Sequence, residues 1–263
     1  MGNILEKDVQ NKRVERVIKL IEEIQTKLEK LDSEEIKNSV YIAIKKFNMW
    51  FHFFAEVINK IDPLNVNIHA LVFTYKTVLF CGILESLIPE NQSIGSKAKF
   101  IKVMEKLNKE EKLLFTQLIT DGKSDIDEEA ILAYLKCDFN KLDEIFKNKV
   151  EKFYMIRCEL VHKGIWLFGA KWPLSDSPLY FGIVIEEENK KEDEKLIIMI
   201  RNENFTFLGL SLDEIILRAI AKYFDITFDK DDIKEKVEKF LGSEKSGYIA
   251  YKYSELFKQK FKK

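Results

Sequence analysis

Apolar residues recur at intervals of three and four through most of the first 163 positions. In 10–31, Val14, Val17, Ile18, Leu20, Ile21, Ile24 and Leu28 fall on one stripe, which predicts an amphipathic helix. Ser33, with Glu34 and Glu35 behind it, opens a second helix running to about Ile61. It is rich in aromatics (Trp50, Phe51, Phe53, Phe54), and "DPLN" at 62–65 breaks it. A third, from about Asn67 to Ile88, is almost wholly apolar in its second half, so it belongs at the centre; Pro89 ends it. Shorter helices are expected at 97–108, 110–120 and 127–136. A long one follows at 140–163, with Leu142, Ile145, Phe146, Phe153, Ile156 and Leu160 as its buried stripe. Gly164 stands where a left-handed cap would close it, just beyond His162 and Lys163.

The period changes after Trp172 and Pro173. "LYFGIVIE" and "KLIIMIRN" are β-branched or aromatic runs separated by the charged "EENKKEDE", which reads as a β-hairpin. Its strands are too apolar to stand alone and must pack on something. "SLDE" at 211–214 is a capping box, opening a helix to about Tyr223, and "DDIKEKVEKFLG" is a further short helix. The expected organisation is mainly α: an N-terminal helical segment at 1–62, a helical domain at 63–170, and a small α+β extension at 171–263.

Composition sharpens this only in part. A chain of 263 residues, 46% hydrophobic and 33% charged, is globular rather than disordered. The net charge of -1 gives no bulk footprint for nucleic acid, so a polyanion would have to be read by a local patch. Cys81, Cys137 and Cys158 are scattered and odd in number, which suits a reducing compartment. The first ten residues carry no apolar signal core, and "VLFCGILESLI" is too short to span a bilayer. The expectation is a cytoplasmic protein with no membrane contact. Lysine and glutamate enrichment fits either a hot-living source or an AT-rich genome.

Several chemistries find no support. There is no Gly-rich phosphate loop, no Gly-x-Ser-x-Gly elbow, no His-Glu-x-x-His, and no ligand cluster with metal-binding spacing, so neither metal nor cofactor is expected. His52 and His69 sit on aromatic or apolar helices as core or half-exposed residues. Arg157 and His162 remain, in "RCELVH". Only 5 of the 43 basic residues are arginine, so an arginine on a partly buried helix suggests work that lysine cannot do, such as planar, bidentate grip of a phosphate or carboxylate. His162 lies near the negative end of the helix dipole, which favours its imidazolium and suits acid–base work. A different reading stays open. Arg157 pairs with a buried acid, Glu85 being the best candidate, and His162 caps the helix. The two coexist if Glu85 orients Arg157 from behind. Cys158 is either a small buried residue or a participant beside the arginine. The tail, 245–263, holds six lysines, one glutamate and five aromatics. There, Lys258, Lys260, Lys262 and Lys263 form either an RNA-binding patch or the solvated edge of a docked helix.

Arg-x4-His at the end of the last long helix of an all-α domain resembles the HEPN superfamily (higher eukaryotes and prokaryotes nucleotide-binding), over residues 63–170. Cys158 follows the arginine where many members carry Asn, Asp or His, and the His-x-Tyr variant is absent, since Lys163 and Gly164 follow His162. The resemblance implies a metal-independent endoribonuclease leaving 2′,3′-cyclic phosphate ends, in a toxin or antiviral-defence setting. In it, His162 serves as general base or acid and Arg157 clamps the phosphate, with Lys163 close by for RNA. It also implies a homodimer bringing two motifs to one cleft, RNA as partner, and an antitoxin. The rival is a non-catalytic nucleotide-binding or dimerisation module using the same helix end.

Overall fold

A computed structural model describes residues 2–60, 66–88, 94–120, 127–163, 180–185, 196–201, 210–228 and 233–242. The described chain is mainly helical. In order, the elements are α1 (Gly2–Leu28), α2 (Glu34–Lys60), α3 (Val66–Glu85), α4 (Ser96–Met104), α5 (Lys109–Leu118), β1 (Ile119–Thr120), α6 (Glu128–Leu135), α7 (Phe139–Lys163), β2 (Tyr180–Ile185), β3 (Leu196–Arg201), α8 (Leu212–Tyr223) and α9 (Ile233–Gly242).

Helix α3 is sandwiched as its apolar pattern demands, packing on α2, α4 and α7. Phe80, Cys81, Ile83 and Leu84 are buried there. Aromatic pairs tie the layers together: Phe47 of α2 stacks on Phe80 of α3 at 5.3 Å, and Phe115 of α5 meets Phe146 and Phe153 of α7 edge-on at 5.4 and 6.0 Å. Helix α8 lies among α1, α2, α4 and α5, and every residue from Asp213 to Ala221 is buried. One continuous apolar cluster thus draws side chains from 1–62, from 63–170 and from 171–263.

Several boundaries differ from the pattern. Helix α4 stops at Met104, not 108, because Asn108 already caps α5: its side chain accepts from the Glu111 N–H at 2.9 Å, and the Glu111 carboxylate accepts from the Asn108 N–H at 2.8 Å. The helix expected to reach 120 ends at Leu118, since Ile119 is already extended (φ -117, ψ 101). Ile119 and Thr120 instead form β1, antiparallel to β3 with Ile119 opposite Ile200 and Thr120 opposite Met199. β3 also pairs with β2, Tyr180 opposite Arg201 through Ile185 opposite Leu196, giving the order β1-β3-β2. A hairpin as a closed unit is not seen, because residues 186–195, which would make its turn, lie outside the described residues. The tail with Lys258, Lys260, Lys262 and Lys263 lies outside them as well. Among the described residues no helix is long and apolar enough to cross a membrane.

Candidate functional site

The end of α7 takes its position from α3. Glu85, the last residue of α3, accepts a hydrogen bond from Arg157 Nη2 on α7 at 3.2 Å. The pair is mostly covered, with 20% of the arginine side chain and 13% of the glutamate exposed. Tyr154, one turn earlier on α7, is buried, and its ring lies 5.4 Å from the guanidinium carbon. Burial, and then the neighbouring Glu85 carboxylate, push the Tyr154 hydroxyl pKa well up, so the phenol stays protonated. Buried Phe100 of α4 sits against the same ring at 5.4 Å.

Cys81 lies one turn before Glu85 on α3. Burial, then the Glu85 charge, raises its thiol well above the ordinary value, so it is not a poised nucleophile. Cys158 is half-buried and packs against the core. The guanidinium is therefore held by a carboxylate on one nitrogen and an aromatic ring beside it, at the rim of the helical core. A group so fixed can receive an anion on whatever edge it leaves toward solvent.

The backbone of α7 continues to Lys163, which places His162 and Lys163 in its last turn; their side chains lie outside the described residues. Five helical residues turn through about 140°, so positions 157 and 162 fall on different faces of α7. Val161, just before His162, is 51% exposed. His52 is exposed on α2. Among the described residues no group of three or more His, Cys, Asp or Glu could hold a metal ion.

The sequence reading missed a larger polar system, at α8. Asp213, buried, receives Lys76 Nζ at 2.8 Å and Arg13 Nη2 at 3.7 Å. Arg13 lies over Phe51 at 6.0 Å and Lys76 over Phe80 at 5.5 Å, so each cation also has an aromatic neighbour. Glu214 takes Arg16 Nε at 3.1 Å while its other oxygen accepts from the Ser211 N–H at 2.7 Å. Glu111, fully buried, takes Lys222 at 2.9 Å and Arg218 at 3.4 Å besides capping α5. The signal was legible: "SLDEIILRAIA" places two carboxylates and an arginine on an otherwise apolar helix, and such groups need partners. Arg13, Arg16, Arg157 and Arg218 each pair with a buried or mostly covered carboxylate, as Lys76 and Lys222 also do.

Comparison with protein-family models, with curated proteins and with solved structures gives no match.

Proposed function

We propose that the C-terminal end of α7 cleaves RNA without a metal, as its resemblance to HEPN domains implies. The observation that carries this is the Glu85–Arg157 pair at 3.2 Å, which fixes a guanidinium five residues before a histidine at a helix end. In the reaction the ribose 2′-oxygen bonds to the adjacent phosphorus, and its proton passes to a base. The bond from phosphorus to the 5′-oxygen breaks, and that oxygen takes up a proton. The products are a 2′,3′-cyclic phosphate and a 5′-hydroxyl. His162 serves as one of the two proton-transfer groups, and Arg157 offsets the charge that grows on the phosphate oxygens. Because positions 157 and 162 lie about 140° apart around the α7 axis, the site is completed by a second copy. Lys163 and the tail lysines supply backbone contacts to RNA. A toxin or defence role, with an antitoxin partner, belongs to the same proposal.

A second reading is favoured by a specific observation: the other arginines paired above, Arg13, Arg16 and Arg218, serve buried carboxylates. On that reading Arg157 locks α7 to α3, and the helix end is a non-catalytic nucleotide-binding or dimerisation module.

Three variants separate the two, measured by single-turnover cleavage of single-stranded RNA in excess chelator and by thermal unfolding. If the site cleaves, His162→Ala loses on the order of 10²-fold or more in rate with little change in stability. Arg157→Ala loses a similar factor and also destabilises by about 3 kcal/mol, because Glu85 is stranded. Arg157→Lys keeps the charge without the fork, so cleavage falls while the fold persists. Full cleavage by folded His162→Ala, or products ending in 3′-hydroxyl, rejects the ribonuclease and leaves the binding module.

A further inference from the structure

Eight large hydrophobic residues among the described ones are exposed, and five of them lie on α2: Ile36, Tyr41, Ile42, Met49 and Phe53. Three share a line. Ile42, Met49 and Phe53 follow a spacing of seven and four, which is one stripe of a helix. It points away from the stripe of Val40, Ile44, Phe47, Phe51 and Phe54, which is buried in the protein. The outward residues are half or more exposed: Ile42 50%, Met49 57% and Phe53 52%. Phe53 is braced, with half-buried Trp50 edge-on to it at 5.7 Å and Phe54 at 5.5 Å. The ridge is thus preformed, so covering it costs little ordering.

Its charges say what covers it. Lys45 and Lys46 are exposed just before Met49, and Glu56 is exposed just after Phe53. Between 46 and 56 the stripe therefore runs from basic through apolar to acidic, with Ile42 one turn beyond the lysines. A parallel copy would set lysine on lysine. An antiparallel copy sets Lys46 beside Glu56 and Met49 against Phe53, and the two-fold axis repeats each contact.

We propose that the outer face of α2 is a homodimer surface on which two chains pack antiparallel, Met49 against the partner's Phe53 and Lys46 beside the partner's Glu56. The surface goes beyond the α7 reading. Its variants leave Arg157 and His162 untouched; a dimer indifferent to Phe53→Asp sinks this surface alone, whereas a monomeric wild type also removes the second copy that the α7 reading needs.

Sedimentation velocity of the full chain over a range of concentrations tests it. The wild type dimerises. Phe53→Asp weakens the dimer by tenfold or more in Kd, about the loss of one central apolar anchor, with helical content unchanged by circular dichroism because Phe53 is on the solvent side. Lys46→Glu and Glu56→Lys each weaken it, and the double exchange restores it. Mixing a Met49→Cys chain with a Phe53→Cys chain, on a background with Cys81, Cys137 and Cys158 replaced by Ala or Ser, gives the mixed disulfide. A wild type that stays monomeric overturns the proposal. So does a dimer indifferent to Phe53→Asp, or a charge exchange that fails to restore what the single changes lose.

Discussion

Asp213 shows at the scale of one residue how this fold handles buried charge. Burial works to raise its pKa, but Lys76 and Arg13 outweigh that and hold the carboxyl below its ordinary value of 3.8. A depressed folded pKa means the folded state favours the ionised form. The stabilisation is then complete above the unfolded value and is lost as pH falls through the folded one. Acid should therefore loosen the α1–α3–α8 junction below about pH 4. Asp213→Asn keeps the shape but removes the buried negative charge that faces Arg13 and Lys76, which should cost about 3–5 kcal/mol at neutral pH. Urea unfolding at pH 7 and in the acid range checks both points. The variant starts lower and loses less on acidification, because the titrating group is gone. Equal acid loss in both proteins would place the sensitivity elsewhere.

At the scale of elements, two helices end without glycine. After α6, Cys137 has φ 58, and the Asp138 N–H bonds to the Ala133 carbonyl at 2.9 Å while the Cys137 N–H bonds to that of Tyr134 at 3.1 Å. After α8, Asp225 has φ 58 with the same pair of bonds, Ile226 to Ala221 at 3.0 Å and Asp225 to Lys222 at 3.1 Å. Both are Schellman ends with a side chain in the left-handed region, where glycine is strained least. Cys137→Gly should stabilise by about 0.5–1 kcal/mol, and Asp225→Gly by less, since Asp tolerates that region better. Denaturant midpoints would show it, and a destabilised Cys137→Gly would mean the thiol packs usefully. These ends explain what could be read beforehand. The long helices were legible because their stripes are continuous, and the "SLDE" box marked the start of α8 correctly. The end of α4 and strand β1 were missed. The first depends on Asn108 and Glu111 bonding reciprocally, a capping box whose Asn-x-x-Glu spacing stands in "LNKEEK" but was passed over. The second depends on pairing with β3, some 80 residues away. The Glu85–Arg157 contact was foreseeable because each group is isolated among apolar neighbours. The Asp213 cluster needed α1, α3 and α8 to be placed in space first.

At the scale of the molecule, the ion pairs of α8 span nearly the whole chain: Arg16 and Glu214 are 198 residues apart, Lys76 and Asp213 137, and Arg218 and Glu111 107. They join the same helices that share the continuous apolar cluster. The segment 63–170 carries the Arg157–His162 motif, yet in the folded chain its α3, α4 and α5 are covered by α2 and α8. Produced alone, it would lay open Phe80 and take Asp213 from Lys76 and both Arg218 and Lys222 from Glu111, each an expensive loss for a small helical unit. The expected outcome is that 63–170 fails to fold cooperatively, binding a hydrophobic dye and melting without a sigmoidal transition, whereas the full chain melts in one step at every probe. Near-ultraviolet circular dichroism and calorimetry on both would decide. A sharp, two-state transition for the isolated segment would mean that α1, α2 and α8 are accessories, and that the site at the end of α7 stands on its own bundle. Failure of the segment, with Asp213→Asn weakening the full chain, would tie the integrity of that site to contacts made by both ends of the sequence.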